Sequence, residues 1–148
     1  MVRPRQTQPT PAELEVLKQL WDLGRPASAR EMLKRINQGL REPRAYTTVM
    51  SLLNLMTEKG HLLRTAQGRA FYYSPLRPRE YTLQNLLGET LNRVYDGSAS
   101  LLVAHLLDQS HPDRQELDQI QELLDAYRKQ KTDPSNQEKD GHGCSPPS

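Results

Sequence analysis

The sequence predicts a mainly α-helical protein with one β-hairpin near its middle and a second helical region after it. Three observations support this prediction. Apolar residues recur at helical spacing in three segments before residue 60. Two short apolar and aromatic runs, residues 62–64 and 70–73, flank a turn that contains Gly68. Leucines recur at helical spacing again after Pro78, where the composition changes.

The first helix is predicted to begin after Thr10. Thr10 is a favourable N-cap residue, Pro11 occupies the first helical position, and Glu13 completes the pattern of a capping box. Gly24 and Pro26 are expected to end the helix. The buried stripe is predicted to contain Leu14, Leu17, Leu20 and Trp21.

Two further helices are predicted before residue 60. Ser28 is the N-cap of the second, which ends at residues 37–39. The third runs from about Arg44 to Lys59, with Gly60 as its C-terminal cap. The residues expected to face inward are Met32, Leu33, Ile36, Val49, Leu52, Leu53 and Met56.

The predicted hairpin covers residues 62–74, and Gly68 can adopt the positive φ that its turn requires. Three helices followed by a hairpin are the element order of a winged helix-turn-helix domain. We therefore predict such a domain over residues 8–76, a helical dimerisation domain over residues 79–129 and a disordered tail over residues 130–148.

The helices after Pro78 are short and hold little core of their own, so a second copy of the chain is the partner that would bury their stripes best. Whether the partner is the same chain or a second copy is left open by the pattern alone. The residues predicted to form this surface are Leu83, Leu87, Leu91, Val94, Leu101, Leu102, Leu106, Ile120, Leu123 and Leu124.

Composition excludes several classes of protein. Apolar residues make up only 35% of the 148 residues, which favours two small cores or a core completed by a second copy. Cys144 is the one cysteine, so no disulfide framework can form within one chain and no thiolate metal site of ordinary ligand count is available. His142 near it is interpreted as incidental.

Targeting and catalytic motifs are not found. No window approaches the roughly 20 apolar residues of a membrane span, so we expect a cytoplasmic protein with no membrane partner. The sequence has no glycine-rich phosphate loop, no HExxH or GxSxG motif, and no carboxylate pair in a recognisable pocket. No enzymatic activity, cofactor or metal site is therefore predicted.

The charge is distributed unevenly along the chain. Residues 23–79 contain eleven Lys or Arg and three Asp or Glu, whereas residues 80–148 contain six Lys or Arg and twelve Asp or Glu. This split indicates a part that faces nucleic acid and a separate acidic part. The alternative is a surface fluctuation without function.

The outer side of the third helix has a composition suited to DNA. Its hydroxyls can hydrogen-bond base edges or phosphates, and no carboxylate appears before Glu58. Arg44 at the helix start and Arg69 at the hairpin tip are expected to hold phosphates. Leu55 also falls on this side, without an evident reason. The predicted DNA-binding residues are Arg44, Tyr46, Thr47, Thr48, Ser51 and Arg69.

Each of these residues has a simpler interpretation. Thr47 and Thr48 could be ordinary first-turn residues, Tyr46 could pack on the second helix, and Arg69 could be a solvated hairpin charge. A winged helix that docks onto proteins without binding DNA is the alternative function. An acidic helix face would favour that alternative, and this face has none before Glu58.

The segments "TPAELEVLKQLWDLGRPASAREML", "AYTTVMSLLNLMTEKGHLLR" and "GRAFYYSPL", in this order, resemble the penicillinase-repressor family of bacterial regulators, the BlaI/MecI type with its copper-responsive CopY branch. The resemblance spans about residues 9–128. It implies a homodimeric repressor that binds an inverted-repeat operator in double-stranded DNA. It places the recognition helix at residues 44–59 and the wing at residues 62–74.

The same resemblance implies how such a repressor is controlled. Members of the BlaI/MecI type are inactivated when a membrane-bound sensor triggers cleavage at an Asn-Phe bond in the dimerisation helices. The aligned bond in this chain is His105-Leu106, so these residues are the candidate cleavage site and a sensor protease is a candidate partner. The copper branch senses metal through a C-terminal cysteine cluster, which Cys144 alone does not supply.

Overall fold

The computed structural model describes residues 8–132. The chain divides at residue 96 into two compact units, and each is described by itself. The first unit contains α1 (Pro11–Leu23), β1 (Ala27–Ser28), α2 (Ala29–Asn37), α3 (Tyr46–Lys59), β2 (Leu62–Gln67), β3 (Ala70–Pro75) and α4 (Arg79–Arg93). The second contains α5 (Ala99–Ser110) and α6 (Arg114–Thr132).

Three helices and a β-hairpin form the winged helix that the sequence predicted. The hairpin strands β2 and β3 are antiparallel, and both extend two or three residues beyond the predicted runs. A third strand, β1, was not predicted. Its two residues pair with Tyr73 and Tyr72 of β3, giving the strand order β1-β3-β2. A two-residue strand is too short to carry any periodic signal.

Local capping signals fix the starts of α1 and α2. The Thr10 backbone N–H donates to Glu13 Oε1 at 2.8 Å, and the Glu13 N–H donates to Thr10 Oγ1 at 3.2 Å. This reciprocal pair is the predicted capping box. The Ser28 Oγ accepts the Glu31 N–H at 3.2 Å and caps α2 in the predicted place. The prediction of both helix starts is therefore confirmed.

One core joins α1, α2, α3 and the sheet. Four residues that were expected to face inward, Leu14, Trp21, Leu33 and Leu52, are only partly buried, because they lie at the margins of their stripes. Tyr73 of β3 is fully buried and was not predicted as a core residue. The buried apolar residues are Val16, Leu17, Leu20, Ala27, Ala29, Met32, Ile36, Val49, Leu53, Met56, Leu62 and Tyr73.

A buried ion pair connects the start of α1 to the end of α3. Glu13 is 1% exposed, and its Oε2 accepts a hydrogen bond from Lys59 Nζ at 2.9 Å. Burial alone would raise the pKa of Glu13, but the Thr10 N–H and the Lys59 ammonium stabilise the carboxylate more, so this pKa lies below its usual value. The pair fixes the C-terminal end of α3 to α1.

Helix α3 begins at Tyr46, so the predicted start at Arg44 is wrong by two residues. The Asn37 side chain explains the difference. Its Oδ1 accepts the Arg44 N–H at 2.8 Å, and its Nδ2 donates to the Arg44 carbonyl at 3.1 Å. These bonds hold Arg44 in the loop before the helix.

The helices after Pro78 have no buried residue in the described chain. Helix α4 follows Pro78 directly, and the guanidinium of its first residue, Arg79, lies 6.0 Å from the centre of the Trp21 ring. Helix α6 continues to Thr132, so residues 130–132, predicted as tail, are helical. The rest of the predicted tail, with Cys144, lies outside the described residues.

Candidate nucleic-acid interface

The outer face of α3 carries small hydroxyl side chains that are exposed to solvent. Thr47, Thr48 and Ser51 are all exposed, whereas Val49, Leu53 and Met56 on the opposite face are buried. No acidic residue occurs in the helix before Glu58, in its last turn. The face can therefore approach a row of phosphates without a carboxylate in its path.

The first turn of α3 lacks a side-chain cap, unlike those of α1 and α2. Ala45 is the N-cap, with φ −74° and ψ 154°, and it has no side-chain acceptor for the first backbone N–H groups. Unsatisfied N–H groups at a helix start carry partial positive charge and favour an anion. This end of α3 is thus chemically open to a phosphate oxygen.

Arg44, which the sequence predicts to hold a phosphate, is paired with an acidic residue of α1. Its Nη2 lies 3.0 Å from Glu15 Oε2 of α1, and 30% of its side chain is exposed. Because Asn37 also holds its backbone, Arg44 helps to fix the loop between α2 and α3. A phosphate contact by Arg44 would require its guanidinium to exchange Glu15 for the phosphate.

Tyr46 combines two of the interpretations offered by the sequence. Its ring contacts α2, because the Arg30 guanidinium lies 5.5 Å from the ring centre, a cation–π distance. Tyr46 nevertheless remains 41% exposed. Its phenol is thus available to a ligand, and Arg30 adds a positive charge beside it.

The wing ends in a two-residue turn. Gly68 has φ +61° and Arg69 has negative φ, which matches the pattern of a type II′ hairpin turn with glycine first. Arg69 is exposed at this tip, as the sequence predicted. Its guanidinium is therefore accessible to a ligand at the end of the wing.

Asn54 links the wing to α3. Its Oδ1 accepts the Tyr73 hydroxyl at 3.4 Å and an N–H of Arg64 at 3.5 Å. The Arg64 guanidinium also lies 4.6 Å from the centre of the Phe71 ring on the neighbouring strand. The two hydrogen bonds of Asn54 therefore connect α3 to the wing, and the cation–π contact joins the two strands within the wing.

An open groove of about 360 Å³ separates the first turns of α3 from the wing. It brings together Tyr46 of α3 and Arg69 of the wing, two residues that were both predicted for the site. The other main side chains that line it are Arg30, Met50, Phe71 and Tyr72. The groove has two cations and aromatic walls, which suits the sugar-phosphate backbone of a nucleic acid.

Sequence reasoning missed Arg30, Asn54, Arg64 and Phe71 as parts of this surface. Each of these residues contacts a partner that lies many positions away in the sequence. A local sequence pattern does not show such a contact. Their positions in the sequence were the signal that could have indicated them. Arg30 follows the N-cap Ser28, and Arg64 and Phe71 lie on adjacent predicted strands.

Three acidic residues lie near this surface, and two of them are paired with arginines of the same chain. Glu31 is bound by Arg25 at 2.6 Å, and that hydrogen-bonded pair lowers the pKa of Glu31. Glu15 pairs with Arg44, as described above. Glu42 is exposed in the loop before α3. The hydroxyl face of the helix itself stays free of negative charge until Glu58.

The described part of the chain contains neither a membrane-spanning helix nor a cluster of metal-binding side chains. No helix between residues 8 and 132 is long and apolar enough to cross a membrane. In the same part of the chain, no group of three or more His, Cys, Asp or Glu side chains is placed to hold a metal ion.

The three-helix core, the hairpin and the acid-free helix face define a winged helix-turn-helix protein of the DNA-binding class. The sequence profile of the penicillinase repressor family matches residues 9–126. The chain belongs to this family and is a transcriptional repressor of the BlaI-like kind.

The chain is similar to two relatives and to one solved structure. The penicillinase repressor of Bacillus licheniformis is 25% identical over 121 residues, which are 81% of this chain and 91% of the relative. The transcriptional regulator BlaI of Mycobacterium tuberculosis is 28% identical over 97 residues, 65% of this chain and 69% of the relative. Among solved structures, monomeric B. licheniformis BlaI in complex with the blaP half-operator is 26% identical, with 51% of this chain and 89% of that chain covered and a TM-score of 0.43.

Proposed function

We propose that the chain acts in the cytoplasm as a homodimeric repressor that binds an inverted-repeat operator in double-stranded DNA. The observation that supports this most is the exposed hydroxyl face of α3 beside the cationic groove, in a chain of the penicillinase repressor family. Repression then follows because the bound dimer occludes RNA polymerase from the promoter.

The outer face of α3 is assigned the recognition of the DNA sequence. In the major groove, Thr47, Thr48 and Ser51 would offer hydroxyls that donate to or accept from base edges. The small size of these side chains lets the helix backbone come close to the bases. Tyr46 would hydrogen-bond a phosphate or stack on a sugar at the groove edge.

Contacts with the DNA phosphates, which position the protein on the duplex, are assigned to arginine side chains and to the uncapped N-terminus of α3. Arg69 would hold a phosphate from the tip of the wing, and Arg30 would assist in the groove. Arg44 would contribute less, because binding a phosphate exchanges its existing pair with Glu15 for a new one. An exposed ion pair is worth little, so this exchange is feasible but adds a small net gain.

Dimerisation is assigned to α4, α5 and α6. Of the ten residues predicted for this surface, Leu91, Leu102 and Ile120 are partly buried and the other seven are exposed in the single chain. Val94 is 68% exposed and Leu123 is 70% exposed. Apolar side chains exposed along three successive helices are expected to be covered, and a two-fold symmetric copy offers the complementary surface.

A symmetric dimer makes a prediction about the operator. Two α3 helices related by a two-fold axis would contact two half-sites related by the same axis. The operator should be palindromic, with half-sites about 10 bp apart or a multiple of that spacing. Loss of the dimer would forfeit roughly half of the contacts, so any event that weakens it would release the promoter.

Proteolysis at His105-Leu106 is one such event. The bond lies within α5, and Leu106 is 54% exposed. A sensor protease would have to unwind a turn of α5 before the bond could enter an active site as extended chain. Incubation with a partner sensor protease, followed by mass determination of the fragments, tests this site; cleavage elsewhere or no cleavage would contradict it.

The test of DNA binding is an electrophoretic mobility shift with the protein's own promoter and with unrelated fragments. Affinity should fall by about a thousandfold as salt rises from about 50 to about 200 mM, because released counterions drive phosphate binding. Competition by a scrambled fragment should be weaker than competition by the operator. Binding that is absent, or that does not change with salt, would refute the proposal.

A further inference from the structure

Leu55 is an apolar side chain on the surface that we propose enters the DNA. It lies one turn beyond Ser51 on the same side of α3 and is 46% exposed. By helical geometry it stands within about 40° of Ser51 and about 20° of Thr48 around the helix axis. It therefore continues the hydroxyl face and does not belong to the buried stripe.

Leu55 is not part of the hydrophobic core. The core of the unit is formed without it, from Val49, Leu53 and Met56 of the same helix. Nearly half of the surface of Leu55 lies in water. A single exposed leucine is ordinary on a protein surface, but at this position, on the proposed DNA-reading face, it offers the approaching molecule an apolar contact.

The major groove of B-DNA contains one prominent apolar group. Base edges there present acceptors, amino donors and the C5 methyl group of thymine. Leucine has no atom that can donate or accept a hydrogen bond, and it has no charge for a phosphate. If α3 lies in the major groove, the thymine methyl is the favourable contact that Leu55 can make.

We propose that Leu55 is a specificity-determining residue that selects one thymine in each half-site by contact with its methyl group. This inference rests on the proposed DNA-binding function. Thr47 and Leu55 are separated by about 12 Å along the helix axis. The selected thymine should therefore lie near one end of the base pairs that α3 spans, on the side of the helix C-terminus.

The experiment removes one methyl group at a time from the DNA. Duplexes that the full-length chain selects from a randomised pool are resynthesised with deoxyuridine in place of each thymine in turn. Deoxyuridine lacks only the C5 methyl, so hydrogen bonding is unchanged. At one thymine of a half-site, the substitution should weaken binding about three- to fivefold, as expected for loss of one buried methyl contact.

The matching protein change is Leu55→Ala. This variant should bind thymine and deoxyuridine at that position equally, while its response at every other thymine stays as in the wild type. Such a non-additive result identifies contact between the two groups. The control is Leu76→Ala, because Leu76 is also 46% exposed and lies outside α3. It should keep the full sensitivity to the single methyl group.

Thermal unfolding of the three proteins is measured alongside, and the Leu55 variant should retain the wild-type transition because the side chain is outside the core. Equal deoxyuridine effects in wild type and Leu55→Ala at all positions would overturn this inference while leaving DNA binding intact. Failure of the wild type to select any duplex would instead overturn the proposed function itself.

Discussion

Individual side chains of this chain divide into those that hold α3 in place and those that face outward from it. Lys59 and Glu13 fix the C-terminal end of the helix, and Asn37 and Arg44 fix the loop before it. Thr48 is exposed and has no part in the core. Substitutions in the first group should therefore affect stability, and substitutions in the second should affect recognition.

Lys59→Met tests the first group. It leaves the Glu13 carboxylate buried without its cation, so the free energy of unfolding at neutral pH should fall by about 1–2 kcal/mol. Chemical denaturation measures the change. Lys34→Met is the control, since Lys34 is exposed on α2, and it should leave the free energy within about 0.5 kcal/mol of the wild type. Equal effects of both substitutions would contradict the role of the pair.

The acid dependence of stability follows from the same pair. The pKa of Glu13 is lower in the folded chain than its reference value of 4.5, so its stabilisation is present above about pH 4.5 and is lost as the pH falls through the lowered folded-state pKa. The difference in unfolding free energy between the wild type and Glu13→Gln should therefore shrink as the solution is acidified. A difference that stays constant down to about pH 2 would show that the carboxylate charge does not matter.

Thr48 and Arg69 should differ in how they affect binding. Thr48→Ala should cost about 1–3 kcal/mol at particular base pairs and relax preference there, because it removes a base contact. Arg69→Ala should weaken binding to all sequences alike and reduce the salt slope by about one, because it removes a phosphate contact. Thr132→Ala, an exposed threonine at the C-terminal end of α6 and not among the predicted dimerisation residues, is the control and should change neither quantity.

Among the elements, α3 is distinguished from α1 and α2 by its open N-terminus. Thr10 and Ser28 cap the first two helices with their hydroxyls, whereas Ala45 leaves α3 without a side-chain cap. Stability alone would favour a polar residue at position 45, because its backbone already has the extended geometry of an N-cap. The uncapped start is consistent with a helix end kept available for a phosphate oxygen.

Ala45→Asp should therefore separate stability from binding. A carboxylate at this N-cap should raise the free energy of unfolding by about 1 kcal/mol, because it satisfies backbone N–H groups and interacts well with the helix dipole. The same carboxylate should weaken operator binding at least tenfold, because it competes for those N–H groups and repels the phosphate. Ala45→Ser supplies a neutral cap for comparison. Improved binding by the aspartate variant would contradict the open-end interpretation.

How far the sequence predicted these elements depends on whether their signals are local. The capping box at Thr10, the cap at Ser28 and the turn glycine, Gly68, are each specified within a few residues, and all three are confirmed. Strand β1 and the pairing of Tyr46 with Arg30 depend on partners that only the folded chain brings together. Those features could not be predicted from local patterns.

The candidate site shows the same division. The exposure of Thr47, Thr48, Ser51 and Arg69 follows from helix periodicity and from the position of a turn, so the sequence predicted it. The pairing of Arg44 with Glu15 was missed because it joins a loop to the first helix across 29 positions. Burial of Glu13 was missed because a charged residue becomes tolerable in a core only when a distant cation, here Lys59, is known.

The whole molecule has two halves of opposite character. The described winged helix has a compact apolar core, whereas α4, α5 and α6 contain no buried residue. Basic charge is concentrated in residues 23–79 and acidic charge after them. This organisation suits a chain in which one part contacts a polyanion and another part contacts a second copy.

Leu123→Gln tests the assembly. Leu123 is 70% exposed in the single chain, so the substitution should leave each copy folded. In a two-fold dimer each substitution occurs twice, and the dissociation constant of the dimer should rise at least tenfold. Sedimentation velocity over a range of concentrations measures it. Glu122→Gln, whose side chain lies opposite Ile120 and Leu124 around α6, should leave the assembly unchanged. A wild type that sediments only as single chains would exclude the dimer.

The position of Trp21 has a practical consequence. It is the one tryptophan of the chain, and it packs against the core of the winged helix with Arg79 beside its ring. Indole emission therefore reports melting of the winged helix and of the start of α4 beside it, whereas far-ultraviolet circular dichroism sums over every helix. If the two signals are followed in one heating scan, a lag between them would measure how far the leucine-rich half gains or loses its structure independently.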